Sequence, residues 1–492
     1  MTMKGITFIL IILLVLSSLA RADTEVSGVI STDTIWTIAG SPYVVTGNIL
    51  VEENVQLTIE PGVIVKFRAH PIEWQAYYIR VDGILDAQGS ESNPITFTSE
   101  DAKHPWGCIG FTDTSVDWDE ATSTGCILSN CIIECGGASQ GGIHEFRDAV
   151  IRCFSSSPMI RNSIIRYSNF DAIRSEGSGH PKIVSNYIYD NKGRGILILY
   201  GNALIQDNVI VNNDQGIYLS SMVGSIEITN NTIISSSPET YGACIRIDVS
   251  SETGEILVYK NAITSTNSNS NTISCILNYG EMNLENINFT HNNIENIGGL
   301  YSVYLVAYGS ADNEPETLDM PNNWWGTTET DKINQMIYDY NDDFNLPLVN
   351  YQPIAMEEIP DAGSSIKYSP PQPLPDIKVN GSDGPITVDQ SDTLNIAVSL
   401  DNNGLTNNAD WWLAADTPFG LYFFTFEGWT TEWKPGHQGP LFHLDLYEVL
   451  NASLSGFPAG TYALYFGVDT TMDGNVTWEN LYYDTVVVNV TE

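Results

Sequence analysis

The stretch GNALIQDNVIVNN, residues 201–213, places one amide, Asn208, inside a run of aliphatic residues. The same arrangement, an apolar residue three positions before an asparagine and an isoleucine two positions after it, returns along the chain at Asn130, Asn162, Asn186, Asn208, Asn231, Asn261 and Asn292. Successive spacings are 32, 24, 22, 23, 30 and 31 residues. A recurrence of about two dozen residues is typical of repeat architecture.

Each repeat alternates apolar and polar residues with the two-residue period of a strand, as in KIVSNYIYD, residues 182–190. Parallel strands need crossover connections, and a coiled sheet with two or three short strands per turn provides them. We therefore predict an all-β fold in which residues 23–354 form a right-handed single-stranded parallel β-helix, with coils about 4.8 Å apart. The alignment predicts an interior stack of Ile164, Ile188, Ile210, Ile233, Ile263 and Ile294.

The asparagines then fall in one column at a corner of the coil. Asparagine tolerates left-handed backbone angles and bonds local backbone groups, so this column is interpreted as structural. At the far end, NNWWGT (322–327) precedes Thr328 and Asp331 in a capping-box-like pattern, with Ile333, Met336, Ile337 and Tyr340 at helical spacing. A short amphipathic helix is expected within a carboxy-terminal cap, residues 321–354.

A second body is expected beyond a proline-rich spacer, residues 355–384, which contains YSPPQPLPD. Residues 385–492 hold alternating segments such as GTYALYFGVD, broken by Gly, Pro, Asn and Asp. This pattern predicts an antiparallel, immunoglobulin-like β-sandwich.

The chain is expected to be secreted or displayed at the cell surface. Residues 1–22 combine Lys4, an apolar run and Ala20-Arg21-Ala22, which is the pattern of a signal peptide cleaved after Ala22. No membrane span is expected in the mature chain. The net charge of −40 opposes binding to a phosphate backbone, so nucleic acid is excluded as a partner.

The seven cysteines are odd in number, so at least one thiol is unpaired or pairs between chains. No histidine cluster accompanies them, and structural burial is favoured over metal binding.

Several stretches resemble the secreted right-handed β-helix proteins of bacteria and archaea, the pectate-lyase-like and NosD-type repeat families. They are LTIEPGVIVKF, GILDAQG with NPITFTS, PWGCIGF, the asparagine repeats, and NNWWGT with VNYQP, spanning roughly residues 30–355. The resemblance implies the β-helix fold, which hosts lyases, hydrolases, epimerases and non-enzymatic surface proteins. Segments of residues 409–474 are similar to a carboxy-terminal module of prokaryotic surface proteins.

Aligned coils place Asp171, Arg194 and Gln215 in one external column, which makes Asp171 and Arg194 the candidate catalytic pair. A hydrated, charge-paired flank is the favoured interpretation of this column. In the sandwich, Trp429 and Trp433 are candidates for stacking on sugar rings, against the alternative of core packing.

The loop DTTMDGNVTWEN, residues 469–480, resembles a calcium loop, with Asp469, Asp473 and the backbone at Asn475 as candidate ligands. Its last position is Asn480, where calcium loops place a bidentate glutamate. An ordinary Asp-Gly hairpin turn is the favoured alternative, so no cofactor is firmly expected and Ca²⁺ is the one candidate.

The leading hypothesis is a non-enzymatic surface or matrix protein whose β-helix binds or displays extracellular polysaccharide or contacts other cell-surface components. The alternative is a polysaccharide lyase or glycoside hydrolase that acts on the β-helix face around Asp171 and Arg194. Whether the protein is an enzyme is left open, with the non-enzymatic interpretation favoured.

Overall fold

A computed structural model describes residues 23–491 except 73–74, 102, 139–147, 221–223, 236–241, 278–282, 308–315, 367–371, 404, 406 and 479. The predicted signal peptide, residues 1–22, lies outside the described residues. The chain divides into two compact units, Met1–Lys367 and Tyr368–Glu492, and each is described by itself.

The first unit is built from short strands, most of them three to six residues long. In chain order they are β1 Thr24–Ile30, β2 Thr34–Trp36, β3 Tyr43–Val51, β4 Gln56–Ile59, β5 Ile64–Phe67, β6 Ile79–Val81, β7 Ile84–Gln88, β8 Ile95–Ser99, β9 Ile109–Phe111, β10 Ile127–Ser129, β11 Cys131–Glu134, β12 Ala149–Phe154, β13 Met159–Arg161, β14 Ile164–Arg166, β15 Asp171–Glu176, β16 Lys182–Val184, β17 Tyr187–Tyr189, β18 Arg194–Leu199, β19 Ala203–Gln206, β20 Val209–Val211, β21 Gln215–Ser220, β22 Ile226–Thr229, β23 Thr232–Ser235, β24 Ala243–Val249, β25 Ile256–Tyr259, β26 Ala262–Ser265, β27 Asn271–Leu277, β28 Ile287–Thr290, β29 Asn293–Asn296, β30 Val303–Ala307, β31 Thr317–Asp319, β32 Ile337–Tyr338 and β33 Leu348–Asn350. Short 3₁₀ helices at Ile38–Gly40 and Leu284–Asn286 lie between described strands.

Three strands per coil stack into long parallel sheets. Sheet one contains ten strands in the order β2-β4-β7-β10-β13-β16-β19-β22-β25-β28. The other two strands of each coil belong to a 21-stranded sheet whose two stacks meet at the long strand β3, because β3 pairs with both β5 and β6. We call the stack that contains β14, β17 and β20 sheet two, and the stack that contains β15, β18 and β21 sheet three. The predicted right-handed parallel β-helix is confirmed.

The interior is lined by columns of apolar side chains, because coil after coil pairs in register. One column contains Ile133, Ile165, Ile188, Ile210, Ile233, Ile263 and Ile294, all fully buried. The prediction of Ile164 in this column is wrong by one residue. Ser163 occupies the position that asparagine holds in later coils, so the strand begins one residue later and Ile164 turns outward beside Tyr187.

A ladder of buried asparagines runs along one corner, through Asn186, Asn208, Asn231, Asn261, Asn292 and Asn323. From Asn208 onward, the Oδ1 atom of each accepts the backbone N–H of the asparagine one coil earlier at 2.7–2.9 Å, and Asn186 Oδ1 accepts the N–H of Ser163 at 3.1 Å. The Nδ2 atom of Asn208 also lies 2.8 Å from the carbonyl oxygen of Ile183 and 3.0 Å from that of Gln206. The ladder satisfies buried backbone groups that a turn of the chain would otherwise leave unpaired.

The left-handed backbone conformation belongs to the residue just before each ladder position. Its φ is 50–61° at Asn130, Asn162, Ser185, Asp207, Asn230, Lys260, His291 and Asn322. The sequence interpretation gave both roles to one column, but a side chain aimed into the coil and a left-handed corner occupy adjacent residues. Asn130 and Asn162 are therefore corner residues, and Asn323 is a ladder member that the pattern missed.

A second, shorter ladder at the other end of the sheet-two strands was not anticipated. Asn213 Oδ1 accepts the N–H of Asn191 at 3.2 Å, and Asn191 Oδ1 accepts the N–H of Ser168 at 2.9 Å. Each of these asparagines lies five residues after a member of the main ladder, and that spacing is a signal the sequence does contain.

The predicted capping helix is present but shorter than expected. It spans Thr330–Gln335, its N-cap is Glu329 rather than Thr328, and Ile333 is its buried residue. Ile337 and Tyr338 pair with Val303 and Tyr304 instead of extending the helix, because they continue sheet three.

The first part of the expected spacer, residues 355–366, lies against the β-helix, and we call it the strap. The side chain of Asn293 exchanges two hydrogen bonds with the backbone of Ile359, and Lys260 pairs with Asp361. Further along, the Ser364 hydroxyl donates to the backbone carbonyl of Asp207 at 2.9 Å. The strap thus runs back over several coils along the left-handed corner and is not a free extended segment.

The cysteines are interior residues, with six buried and Cys135 half-buried. Burial raises the pKa of Cys126, Cys131 and Cys275 to about 12, which suppresses the reactive thiolate.

We predict that a disulfide reagent such as DTNB leaves the native protein unmodified at pH 8 and titrates all seven thiols in guanidinium chloride. Rapid modification of the native protein would contradict this burial.

The second unit contains ten strands in two sheets. They are β34 Leu374–Val379, β35 Ile386–Asp389, β36 Thr393–Asp401, β37 Asn408–Thr417, β38 Gly420–Thr425, β39 Gly428–Thr430, β40 His437–Pro440, β41 Leu444–Ser453, β42 Gly460–Asp469 and β43 Leu481–Thr491. The smaller sheet has the order β34-β36-β41, and the larger has the order β35-β43-β42-β37-β38-β39 with β40 paired to β37. Both contribute to one apolar core that includes Ile396, Trp411 and Val488, which is the arrangement of a β-sandwich.

Candidate functional site

The register of sheet three brings the predicted column together. Arg194 pairs with Gln215, and the same offset sets Asp171 beside Arg194. The column is less exposed than predicted, because Asp171 and Gln215 are buried while the Arg194 side chain is 33% exposed.

Asp171 is held by its neighbour in the next coil. Its Oδ1 accepts the backbone N–H of Arg194 at 2.9 Å, and its Oδ2 lies 3.3 Å from the Arg194 guanidinium. Burial raises the pKa of Asp171, and the charge of Arg194 partly opposes that shift. The carboxylate therefore retains a partner in the ionised state but loses most of its hydration.

A broader cluster surrounds this pair, along the outer side of β12, β15, β18, β21 and β24 and at the edge where these strands begin, and we call it the arginine flank. It consists of Asp148, Arg152, Asp171, Arg174, Glu176, Arg194, Tyr218, Arg246 and Asp248. The flank holds four of the ten arginines in the chain, and each has a guanidinium nitrogen within 4.0 Å of a carboxylate oxygen of the flank. Four arginines and four carboxylates make the flank neutral overall.

Tyr218 lies at the centre of the later coils of the flank. Its hydroxyl donates to Asp248 Oδ2 at 2.5 Å, and the guanidinium carbons of Arg194 and Arg246 lie 5.0 and 4.5 Å from its ring centroid. Burial, followed by the hydrogen bond with Asp248, raises the pKa of Tyr218, so the phenol stays protonated at neutral pH. The flank therefore presents planar donors, a phenol and carboxylate acceptors in successive coils.

The raised pKa of Asp171 predicts a specific pH dependence. Between the unfolded and the higher folded pKa, the folded state binds more protons, so stability falls as pH rises through the folded pKa. Relative to Asp171→Asn, the parent should gain stability as pH falls from above the folded pKa of Asp171 to the ordinary pKa of an aspartate, by at most about 1.4 kcal/mol per pH unit. Urea denaturation of both proteins across that range tests this, and a pH-independent difference would contradict it.

The predicted calcium loop is ordered by hydrogen bonds to its own backbone. Buried Asp469 accepts the N–H groups of Thr471 (2.8 Å) and Thr477, whereas Asp473 is exposed and accepts the N–H of Asn475 at 2.8 Å. No three His, Cys, Asp or Glu side chains within the described ranges gather as a metal-binding group. Calcium binding by this loop stays a prediction.

Sequence reasoning missed Asp410, which organises the same loop from a neighbouring strand. Asp410 is fully buried opposite Asp469 and accepts Gly474 N–H at 2.7 Å, Asp473 N–H at 3.2 Å and Gln438 Nε2 at 2.7 Å. An aspartate inside the otherwise apolar run ADWWLAA was the available signal.

The two tryptophans predicted to stack on sugars lie in different surroundings. Trp433 is 56% exposed, and its ring centroid lies 4.7 Å from that of Phe423 on the outer side of the larger sheet. Trp429 is 38% exposed and packs edge-on against Phe424, whose side of the sheet faces the core. Only Trp433 therefore lies on the outer surface of that sheet.

Two family models match the chain. The model described as "Right handed beta helix region" matches residues 111–237 and 148–315, and the model described as "Pectate-lyase like beta helix domain" matches residues 28–133. A search of the curated proteins finds no match.

Two solved structures are similar in chain path at low identity. A crystal structure of a double mutant of the periplasmic alginate epimerase AlgG aligns with a TM-score of 0.39 and 14% identity over 67% of this chain and 85% of that one. The enzymatically active domain of tailspike protein 2 of bacteriophage CBA120 aligns with a TM-score of 0.25 and 9% identity over 94% of this chain and 72% of that one. The two β-helix family models together match residues 28–315, in agreement with the stacked parallel sheets of the first unit.

Proposed function

We propose that the protein is an exported cell-surface or matrix protein whose β-helix binds polysaccharide along the arginine flank without turning it over. The observation that carries the proposal is the concentration of four arginines, with Tyr218 between two of them, on one side of successive coils. Guanidinium forks bind carboxylates bidentately and also donate to hydroxyl groups. Arg152, Arg174, Tyr218 and Arg246 share one register column that Leu197 interrupts, so coils about 4.8 Å apart present these groups along one line to a polymer.

Binding without turnover is favoured by the pairing within the flank. Each of its arginines faces a carboxylate, so the flank offers no unpaired cation that could serve as a base beside a uronate. Among the described residues no helix is long and apolar enough to cross a membrane.

The test is affinity electrophoresis of the full chain through gels that contain alginate, polygalacturonate or a neutral β-glucan. Retention by an acidic polysaccharide is expected, and Arg194→Ala and Arg246→Ala should each weaken it about tenfold, roughly 1.4 kcal/mol. Arg194→Lys should weaken it too, since a lysine keeps the charge but loses the planar fork. Arg161→Ala is the matched control, because Arg161 lies on sheet one, away from the flank. Unchanged retention in the flank variants would overturn the proposal.

A polysaccharide lyase or hydrolase is the second candidate, favoured by the 2.5 Å Tyr218–Asp248 hydrogen bond and the desolvated Asp171. A reducing-sugar assay with ultraviolet detection of unsaturated product would be run on the same polysaccharides. Turnover that disappears in both Asp171→Ala and Arg194→Ala would replace the binding proposal with this one.

A further inference from the structure

The outer side of the larger sheet of the second unit carries a groove, which we call the aromatic groove. Its volume is about 360 Å³, and its lining includes Trp412, Phe423, Trp433, Tyr465, Trp478 and Tyr483. Exposed large apolar side chains normally occur singly on a protein surface. Six aromatic rings in one groove are therefore unusual.

Five of the six rings contact one another in two groups. Trp412 and Phe423 meet at 5.8 Å between ring centroids, Phe423 and Trp433 at 4.7 Å, and Tyr465 and Tyr483 at 6.2 Å. The floor between them is Ala414, which pairs with Phe423 on one side and Tyr465 on the other. A small residue at this position leaves the groove open along its length, so it suits an elongated ligand.

The rings differ in exposure: Trp412 and Phe423 form the buried floor of the groove together with Ala414, and Trp433, Trp478 and Tyr483 lie at its exposed sides. Trp412 and Phe423 are 5% and 3% exposed, whereas Trp433, Trp478 and Tyr483 are 56%, 68% and 55% exposed. Large exposed indole rings lose hydration at little entropic cost when a flat ligand covers them, since each has only two side-chain torsions.

One polar group of the floor has no partner. The Trp412 indole N–H is buried without a hydrogen-bond acceptor among the described residues. A buried donor in this state costs free energy, so the floor is not fully satisfied by the protein's own groups.

The charge of the second unit limits the kinds of ligand that the aromatic groove could bind. Residues 368–492 contain 16 Asp and Glu against Lys378 and Lys434, a net charge of 2 − 16 = −14. Asp416 also lines the groove and is exposed. The groove lining holds Asp416 and no lysine or arginine, so an anionic polymer would meet no counter-charge there, whereas the uncharged C–H face of a pyranose ring can stack on indole and its hydroxyls can bond to Asp416.

We infer that the aromatic groove is a binding site for a neutral glycan chain, separate from the arginine flank. The rings of Trp433 and Trp478 stack on successive sugars, and the floor contacts the hydroxyl groups between them. The second unit thereby gives the protein its own carbohydrate contact, whether or not the β-helix has one.

The experiment is affinity electrophoresis of the full chain in gels that contain xylan, xyloglucan, galactomannan or mixed-linkage β-glucan. At least one of these should retain the parent, and Trp433→Ala and Trp478→Ala should each weaken retention about tenfold or more. Trp429→Ala is the matched control, because it removes a partly exposed indole outside the groove. Arg194→Ala should leave this retention unchanged, which separates the groove from the flank.

Retention of the parent by none of the four glycans would overturn the inference, as would equal retention of the parent and both groove variants. Saturable binding of tetramethylammonium that depends on Trp433 and Trp478, without glycan retention, would identify an aromatic cation site instead. A dimer in sedimentation that Trp478→Ala dissociates, again without glycan retention, would show that the groove is an interface between copies of the chain.

Discussion

Replacement of Asn208 with alanine is expected to lower the free energy of unfolding of the β-helix by about 3–5 kcal/mol. The substitution removes the acceptor of the Asn186 N–H and a donor near the carbonyls of Ile183 and Gln206. All of these groups lie where water cannot replace the amide, since Asn186 and Asn208 are fully buried. Urea denaturation followed by far-ultraviolet circular dichroism measures the change.

Asn230→Gly is the matched control for this prediction. Asn230 occupies the adjacent corner column with φ 56°, an angle that glycine adopts freely, and its side chain is not part of the ladder. The control should change stability by less than about 1 kcal/mol. If Asn208→Ala proved no more destabilising than Asn230→Gly, the ladder would not have the energetic role assigned to it.

Asp410→Ala is expected to destabilise the second unit by about 2–4 kcal/mol, or roughly 10 °C in the melting temperature of that unit. Hydrogen bonds to an ionised acceptor are the stronger ones, and Asp410 accepts three of them from Gln438, Asp473 and Gly474. Relief of repulsion with Asp469, which lies directly opposite, offsets part of the loss. Differential scanning calorimetry of the full chain reports the transition of this unit.

Asp416→Ala provides the comparison within the same strand. Asp416 is exposed near the end of β37, where removal of one carboxylate should leave the melting temperature within about 2 °C of the parent. Equal melting temperatures for the parent and Asp410→Ala would show that the loop is held by other contacts.

The parallel β-helix could be predicted from the sequence because its two determinants are local and repeated. The spacing of Asn186, Asn208 and Asn231 and the isoleucine two residues after each are visible without any knowledge of distant contacts. The prediction failed at Asn162, because that asparagine occupies the left-handed corner position and not the ladder position. Ser163 replaces the ladder amide there with a hydroxyl that accepts the Cys131 N–H at 3.1 Å, and a pattern that follows asparagine alone slips by one residue.

The strap and Asp410 were missed for a different physical reason. Ser364 bonds Asp207, 157 residues earlier, and Asp410 bonds Gly474, 64 residues later. Nothing in the local sequence around Ser364 specifies such a partner, because serine forms hydrogen bonds equally well with water. The proline-rich stretch near residue 370 falls where the two compact units divide, but proline content does not reveal which flanking residues dock.

The candidate sites were predicted only in part. Alignment of the repeats is enough to place Asp171 beside Arg194. The ion pairs that make the arginine flank neutral depend on the directions of the side chains, which an alignment does not give. Trp429 and Trp433 are four residues apart in a segment with several turns, and the face of the sheet that each one occupies depends on the hairpin geometry of β38 and β39. Sequence alone therefore could not assign them to different surroundings.

The asparagine ladder has a direction, since every Oδ1 atom from Asn186 to Asn323 accepts from the rung that precedes it in the chain. Each ladder asparagine before Asn323 donates its backbone N–H to the next coil and accepts, at its Oδ1 atom, the N–H of the previous coil. Any two ladder asparagines can therefore be neighbours. Loss or duplication of a whole turn between equivalent asparagines, for example the 22 residues from Asn186 to Asn208, creates no mismatched junction. We therefore expect the β-helix to tolerate insertion or deletion of a whole turn better than of part of a turn, which would move a different residue into the ladder position.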